Sequence, residues 1–249
     1  MLESLLEHVP DFGHLDTVYS KISNYMDENQ DIFKSDFGKL KISGNENDTL
    51  ICFLPWRTSF KEAIELDLFS MNRKSIVYKL PTHLVNPNPF AARQLMRKIY
   101  IDLAEEKRKH KLGELIVLSY SVGNYMGFNV ANNFDNVKKF ISVVPGTTLG
   151  TGLFEGIATQ DVRLQSELLG FKNSTQYDRI IGHTNAQNQI KKLPQDIEIH
   201  LATHDLFIPT KYGEDIAKQI QKIRDPKILR YENCGHVSVL GKFGKNNSY

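Results

Sequence analysis

The stretch Ser119-Tyr120-Ser121-Val122-Gly123 constrains this chain more than any other. It follows an apolar run, Glu114-Leu115-Ile116-Val117-Leu118, that reads as a buried parallel strand. It precedes Asn124-Tyr125-Met126-Gly127-Phe128-Asn129-Val130-Ala131, which continues as a helix. A strand, one tight turn and a helix, with serine at the apex, is the geometry of a nucleophile elbow. The turn lifts the Ser121 hydroxyl clear of its neighbours. It also aims a backbone N–H and a helix N-terminus at the place where negative charge develops. Strand and helix pass close together there, so small residues are needed on both sides. Gly123 meets that need, and Ser119 stands where a second glycine is usual.

Two downstream segments extend this reading. The strand 197–202 runs into Thr203-His204-Asp205-Leu206-Phe207-Ile208-Pro209, which places Asp205 just past a strand's C-terminal end. A helix is predicted over 211–222, then a strand over 227–231, then Glu232-Asn233-Cys234-Gly235-His236 with His236 on a loop. A serine hydroxyl is a weak nucleophile at neutral pH and needs a base. Imidazole is that base, and a buried carboxylate fixes its tautomer and stabilises the imidazolium. Their chain order, Ser121, Asp205, His236, is the one expected when such a triad is built on a fold with this strand–turn–helix elbow.

With these three features the chain resembles the α/β-hydrolase superfamily from about residue 36 to its end. The resemblance implies an α/β fold with a doubly wound, mostly parallel sheet, and a small helical cap inserted after the sixth strand. It implies catalysis by Ser121, His236 and Asp205, and an oxyanion hole built from two backbone N–H groups. One is that of Val122. The other comes from the loop after the strand 49–54, Pro55-Trp56-Arg57-Thr58-Ser59, and falls to Trp56 or, failing that, Arg57. Leu54-Pro55 replaces the His-Gly that many members carry there, and proline has no N–H to offer. The implied activity is cleavage of a carboxylic ester or thioester through an acyl-enzyme. Transfer of the acyl group to another acceptor uses the same residues, and a non-catalytic binding module uses the same fold. No cofactor or metal is called for.

Other residues admit plainer readings. Ser59 with Glu62 forms a capping box, which gives that serine a structural task. Among the other histidines, His8 and His14 precede the predicted core and His110 lies in a charged run; His83 and His183 sit in loop-like segments. His200 and His204 have the spacing of helical metal ligands, but their segment reads as a strand. Gly146, Gly150, Gly152 and Gly156 read as hinge and turn glycines, because no Gly-Lys-Ser/Thr follows to make a phosphate loop.

Composition narrows the class. With 249 residues, 41% of them hydrophobic, the chain can bury one substantial core, so a single domain over 1–249 is expected. The net charge of +2 says nothing about partners; the basic residues are dispersed, and their largest cluster, Lys107-Arg108-Lys109-His110-Lys111, reads as the solvated end of a helix, so nucleic acid is not expected as a partner. Two cysteines, no signal-peptide pattern and no apolar run long enough to span a membrane suggest a cytoplasmic setting. One or two amphipathic helices are expected over 1–35. Further strands are expected over 37–42, 75–80 and 139–144, and helices over 60–69 and 90–109. The segment 149–194 is expected to form the cap, with helices over 161–169 and 175–181. Its Leu153, Phe154, Leu164, Leu168, Phe171 and Tyr177 are expected to line part of an apolar pocket.

Overall fold

The computed structural model describes residues 37–246; the helices expected over 1–35 lie outside the described residues. Among the described residues seven strands form one sheet: β1 (Gly38–Ile42), β2 (Thr49–Phe53), β3 (Ser75–Lys79), β4 (Leu115–Tyr120), β5 (Val137–Val143), β6 (Asp196–Ala202) and β7 (Lys227–Tyr231). Their spatial order is β1-β3-β2-β4-β5-β6-β7. Of these seven strands only β1 runs antiparallel, against β3. β1 and β2 are consecutive in the chain yet not neighbours, because β3 lies between them. Among the described residues no helix is long and apolar enough to cross a membrane.

The strands carry apolar residues on both faces, and pleating sends alternate residues to opposite sides. Ile51, Phe53, Leu115 and Val117 enter one apolar cluster. Leu50, Cys52, Leu54, Ile116, Leu118 and Tyr120 enter the other. Helices cover both. The first cluster takes α2 (Pro89–His110), α3 (Asn124–Asn133) and α7 (Thr210–Gln221); the second takes α1 (Phe60–Glu65) and α8 (His236–Asn246). Between β5 and β6 lie α4 (Leu149–Glu155), α5 (Gln160–Leu168) and α6 (Ser174–Ile181). The helical insertion expected after the sixth strand thus follows β5, since only five strands precede it among the described residues.

Local chemistry sets the helix ends. Ser59 and Glu62 make the expected capping box on α1. Asn88 caps α2 ahead of Pro89, and Lys111 closes that helix in the left-handed region at φ 46°. Two expectations need correction. Gly150 and Gly152 are helical rather than hinge residues, because Thr148 caps α4 by accepting from Thr151 N. Leu164 and Leu168 do not line a pocket: they are exposed, while Val162 and Ser166 of the same helix turn inward. Phe154 and Phe171 instead pack edge-on against Tyr177 inside the insertion.

Candidate active site

The chain fills the sheet from β2 to β3 on one side, then returns to lay β4 on the other side of β2. The loops after β2 and β4 therefore flank a switch point, where open α/β sheets leave a crevice. Ser121 ends the β4 side of that crevice. Its φ is 52°, a left-handed conformation that disfavours any residue with a Cβ. The turn is held by close packing. A Cβ at Gly123 would lie 2.7 Å from Phe53 O and 2.9 Å from Leu54 O, so glycine is required where α3 presses on the end of β2.

Ser119, the departure from the usual pattern, has a matching feature elsewhere. A Cβ at Gly127 would sit 2.5 Å from Ser119 Cβ and closer still to its Oγ. The space that a glycine at 119 would leave is thus provided one helical turn into α3. The Ser119 hydroxyl donates to Asn124 Oδ1 at 2.8 Å, and Ser142 on β5 donates to the same oxygen at 2.6 Å. Asn124 Nδ2 donates to Ser121 O at 3.0 Å and to Val143 O at 2.8 Å. This buried amide spends all its hydrogen-bonding capacity tying the strained turn to two strands. Sequence reasoning did not find Asn124. Its task depends on the register that sets Ser119 opposite Ser142.

The structure brings Ser121, His236 and Asp205 together. Ser121 Oγ lies 2.8 Å from His236 Nε2, and Asp205 Oδ2 lies 2.7 Å from His236 Nδ1. The carboxylate acts as acceptor on Nδ1–H, which leaves Nε2 free to accept from the serine hydroxyl. Asp205 Oδ1 also accepts from Phe207 N at 2.9 Å and Ile208 N at 3.0 Å, so the carboxylate is fixed from both sides. His204 N donates to Cys234 O at 3.0 Å, joining the segments that lead into Asp205 and His236. All three side chains are buried. The Phe207 ring stacks on the imidazole, with centroids 5.3 Å apart. Contrary to expectation, His236 is not on a loop but is the first residue of α8. The helix forms because Val239, Leu240 and Phe243 present one apolar face to the second cluster.

Val122 and Trp56, the expected oxyanion donors, both border a cavity of about 40 Å³ that also touches Ser121. Val85, Tyr125, Leu149 and Leu153 complete most of its apolar wall. Leu153 is the one member of the expected pocket set to reach this cavity. Trp56 is pinned by a bond from its indole N–H to Thr82 O at 2.6 Å. The guanidinium of Arg57, whose φ is 64°, covers the indole at 4.0 Å from the ring centroid. Two other histidines among the described residues have partners of their own. His200 is engaged by Glu198 and Tyr231 at 2.9 Å each, and His204 by Thr203 at 3.0 Å. Burial pushes the His200 imidazole down to about 4, against the pull of Glu198.

No protein-family model matches the chain, and no curated protein matches its sequence. Solved structures do match in shape. An acylaminoacyl peptidase from Pyrococcus horikoshii superposes with a TM-score of 0.57 at 10% identity, over 80% of this chain and 35% of that one. An esterase from Pyrococcus furiosus gives 0.55 at 11% identity, over 87% and 90% of the two chains. A lipase-esterase related protein from Clostridium acetobutylicum gives 0.54 at 17% identity, over 85% and 98%. This chain has the α/β-hydrolase fold. It spans 35% of the length of the acylaminoacyl peptidase. At its elbow Ser119 of β4 packs directly against Gly127 of α3.

Proposed function

We propose that the protein is a serine hydrolase that cleaves a carboxylic ester or thioester with a short acyl group. The observation that carries this reading is the continuous relay from Asp205 through His236 to a serine held at positive φ, with hydrogen bonds of 2.7 and 2.8 Å. Ser121 Oγ attacks the carbonyl carbon while His236 Nε2 takes its proton. The oxyanion is held by the N–H groups of Val122 and Trp56. Collapse breaks the bond to the leaving alcohol or thiol, which receives the proton from His236 and departs, leaving the acyl group on Ser121. Water then attacks the acyl carbon, giving a proton to His236. The second collapse releases the acid, and the proton returns to Ser121. Asp205 keeps its negative charge throughout and stabilises each imidazolium.

The acyl preference rests on the cavity over Ser121. Its 40 Å³ hold roughly three water-sized groups, which suits an acetyl to butyryl chain. The test is labelling by a fluorophosphonate, read by intact mass, alongside turnover of p-nitrophenyl acetate and octanoate. Wild type is expected to take one adduct and to favour the acetate; Ser121→Ala is expected to take none and to lose turnover at least a thousandfold. An unchanged rate in Ser121→Ala refutes the reading.

A further inference from the structure

A second, larger cleft lies where α2 and α3 meet the end of the insertion. Its volume of about 400 Å³ falls within the range of small-molecule sites. Arg93 and Arg97 reach it from α2, and His183 from the turn after α6; none of its lining residues is an acid. The two arginines are four residues apart on one helical face, an arrangement in which like charges repel. Several other partly buried cations have carboxylate partners: Lys39 has Asp102 and Glu106, Arg73 has Asp48, and Lys139 has Glu198. Among the described residues neither Arg93 nor Arg97 is paired in this way; Arg93 reaches a carbonyl, Ile180 O, at 3.4 Å.

The rest of the lining is consistent with one kind of occupant. Met96, Tyr100 and Met126 offer an apolar wall. The Gln189 carbonyl oxygen, which would repel an anion, is already occupied by the amides of Asn132 and Asn133 at 3.0 Å each. Burial and the neighbouring Arg97 charge hold Arg93 below the ordinary guanidinium range. Burial and Arg93 do the same to the His183 imidazole. An oxyanion between these groups would relieve both effects, and guanidinium forks suit phosphate and carboxylate alike.

We propose that this cleft binds a small organic anion, a phosphate or carboxylate head carried on an aromatic or aliphatic body. The site is distinct from the acyl cavity. Tyr125, buried and tied by its hydroxyl to Thr148 O at 2.7 Å, is the wall the two share.

Titration calorimetry on the full chain at low ionic strength tests this with phenyl phosphate, benzoate, inorganic phosphate and neutral benzamide. At least one aromatic anion is expected to bind ten times more tightly than benzamide. Arg97→Gln is expected to weaken that binding at least tenfold, and Arg97→Lys by less, since it keeps the charge and loses the fork. Arg97 is exposed on a helix, so both variants should keep the wild-type melting temperature. A preference between phenyl phosphate and benzoate identifies the head group. Inorganic phosphate matching phenyl phosphate assigns the affinity to the head alone. The proposal is overturned if no anion binds at millimolar concentration, if benzamide binds equally well, or if Arg97→Gln and Arg93→Gln both leave the affinity unchanged.

Discussion

The exchange of bulk between Ser119 and Gly127 yields a double-mutant cycle whose sign is set by geometry. In Gly127→Ala the new Cβ would lie 2.5 Å from Ser119 Cβ, closer still to its Oγ, and 3.1 Å from Phe140 Cε2. Ser119 is short, belongs to a central strand and cannot swing away, so α3 must shift. Overpacking of this kind costs about 3 kcal/mol, of which the better helix propensity of alanine returns about 1. The single variant should therefore lose about 2 kcal/mol. Ser119→Gly gives up the 2.8 Å bond to Asn124 and adds a glycine to a strand, for a loss of about 2 kcal/mol. In the double variant the overlap is gone and the alanine benefit remains, so its loss falls to about 1 kcal/mol. The two changes together are then less harmful than either alone, with a coupling of about 3 kcal/mol. Urea denaturation of the four proteins measures this. The fluorophosphonate labelling rate reports whether α3 carries Ser121 with it, and should fall in Gly127→Ala and recover in the pair. Additivity within 0.5 kcal/mol would refute the argument.

Two further outcomes follow from the same structure. Leu153→Ala enlarges the cavity over Ser121 and is expected to move the p-nitrophenyl ester preference toward longer chains by about tenfold, read as the ratio of kcat/KM for octanoate and acetate; an unchanged ratio would place the acyl group elsewhere. His200 is kept neutral by burial, its folded pKa of about 4 lying below the 6.5 of an exposed imidazole. The stability this gives is complete above pH 6.5 and drains away as pH falls toward 4, because the unfolded chain binds the proton first. Between pH 7 and 4.5 the loss is roughly 2–3 kcal/mol; His200→Gln should show a correspondingly flatter dependence in urea midpoints, and an equal slope would sink the assignment.

Much of the fold was legible because its signals are local. The buried strands announced themselves as apolar runs, and the α1 capping box involved residues three apart. The turn at Ser121 was legible for the same reason: a strand, a small residue and a helix are contiguous. Asp205 stood out by its place after a strand. The start of α8 at His236 was less so, although the spacing of Val239, Leu240 and Phe243 carried a helical signal. In α5 the apolar spacing misled, since Leu164 and Leu168 face outward.

The chain by itself determined the alternation of strands and helices, the strained serine turn and the order in which its nucleophile, acid and base candidates occur. These follow from short-range sterics and burial periodicity, which act within a few residues. Only the tertiary structure decided what meets across the sheet. It set Gly127 against Ser119, Asn124 between β4 and β5, and His236 within 2.8 Å of Ser121 although 115 residues separate them. It also gathered Arg93, Arg97 and His183 around one cleft. Such contacts depend on strand order and register, and the energy that selects them is shared over the whole core rather than written in any one segment.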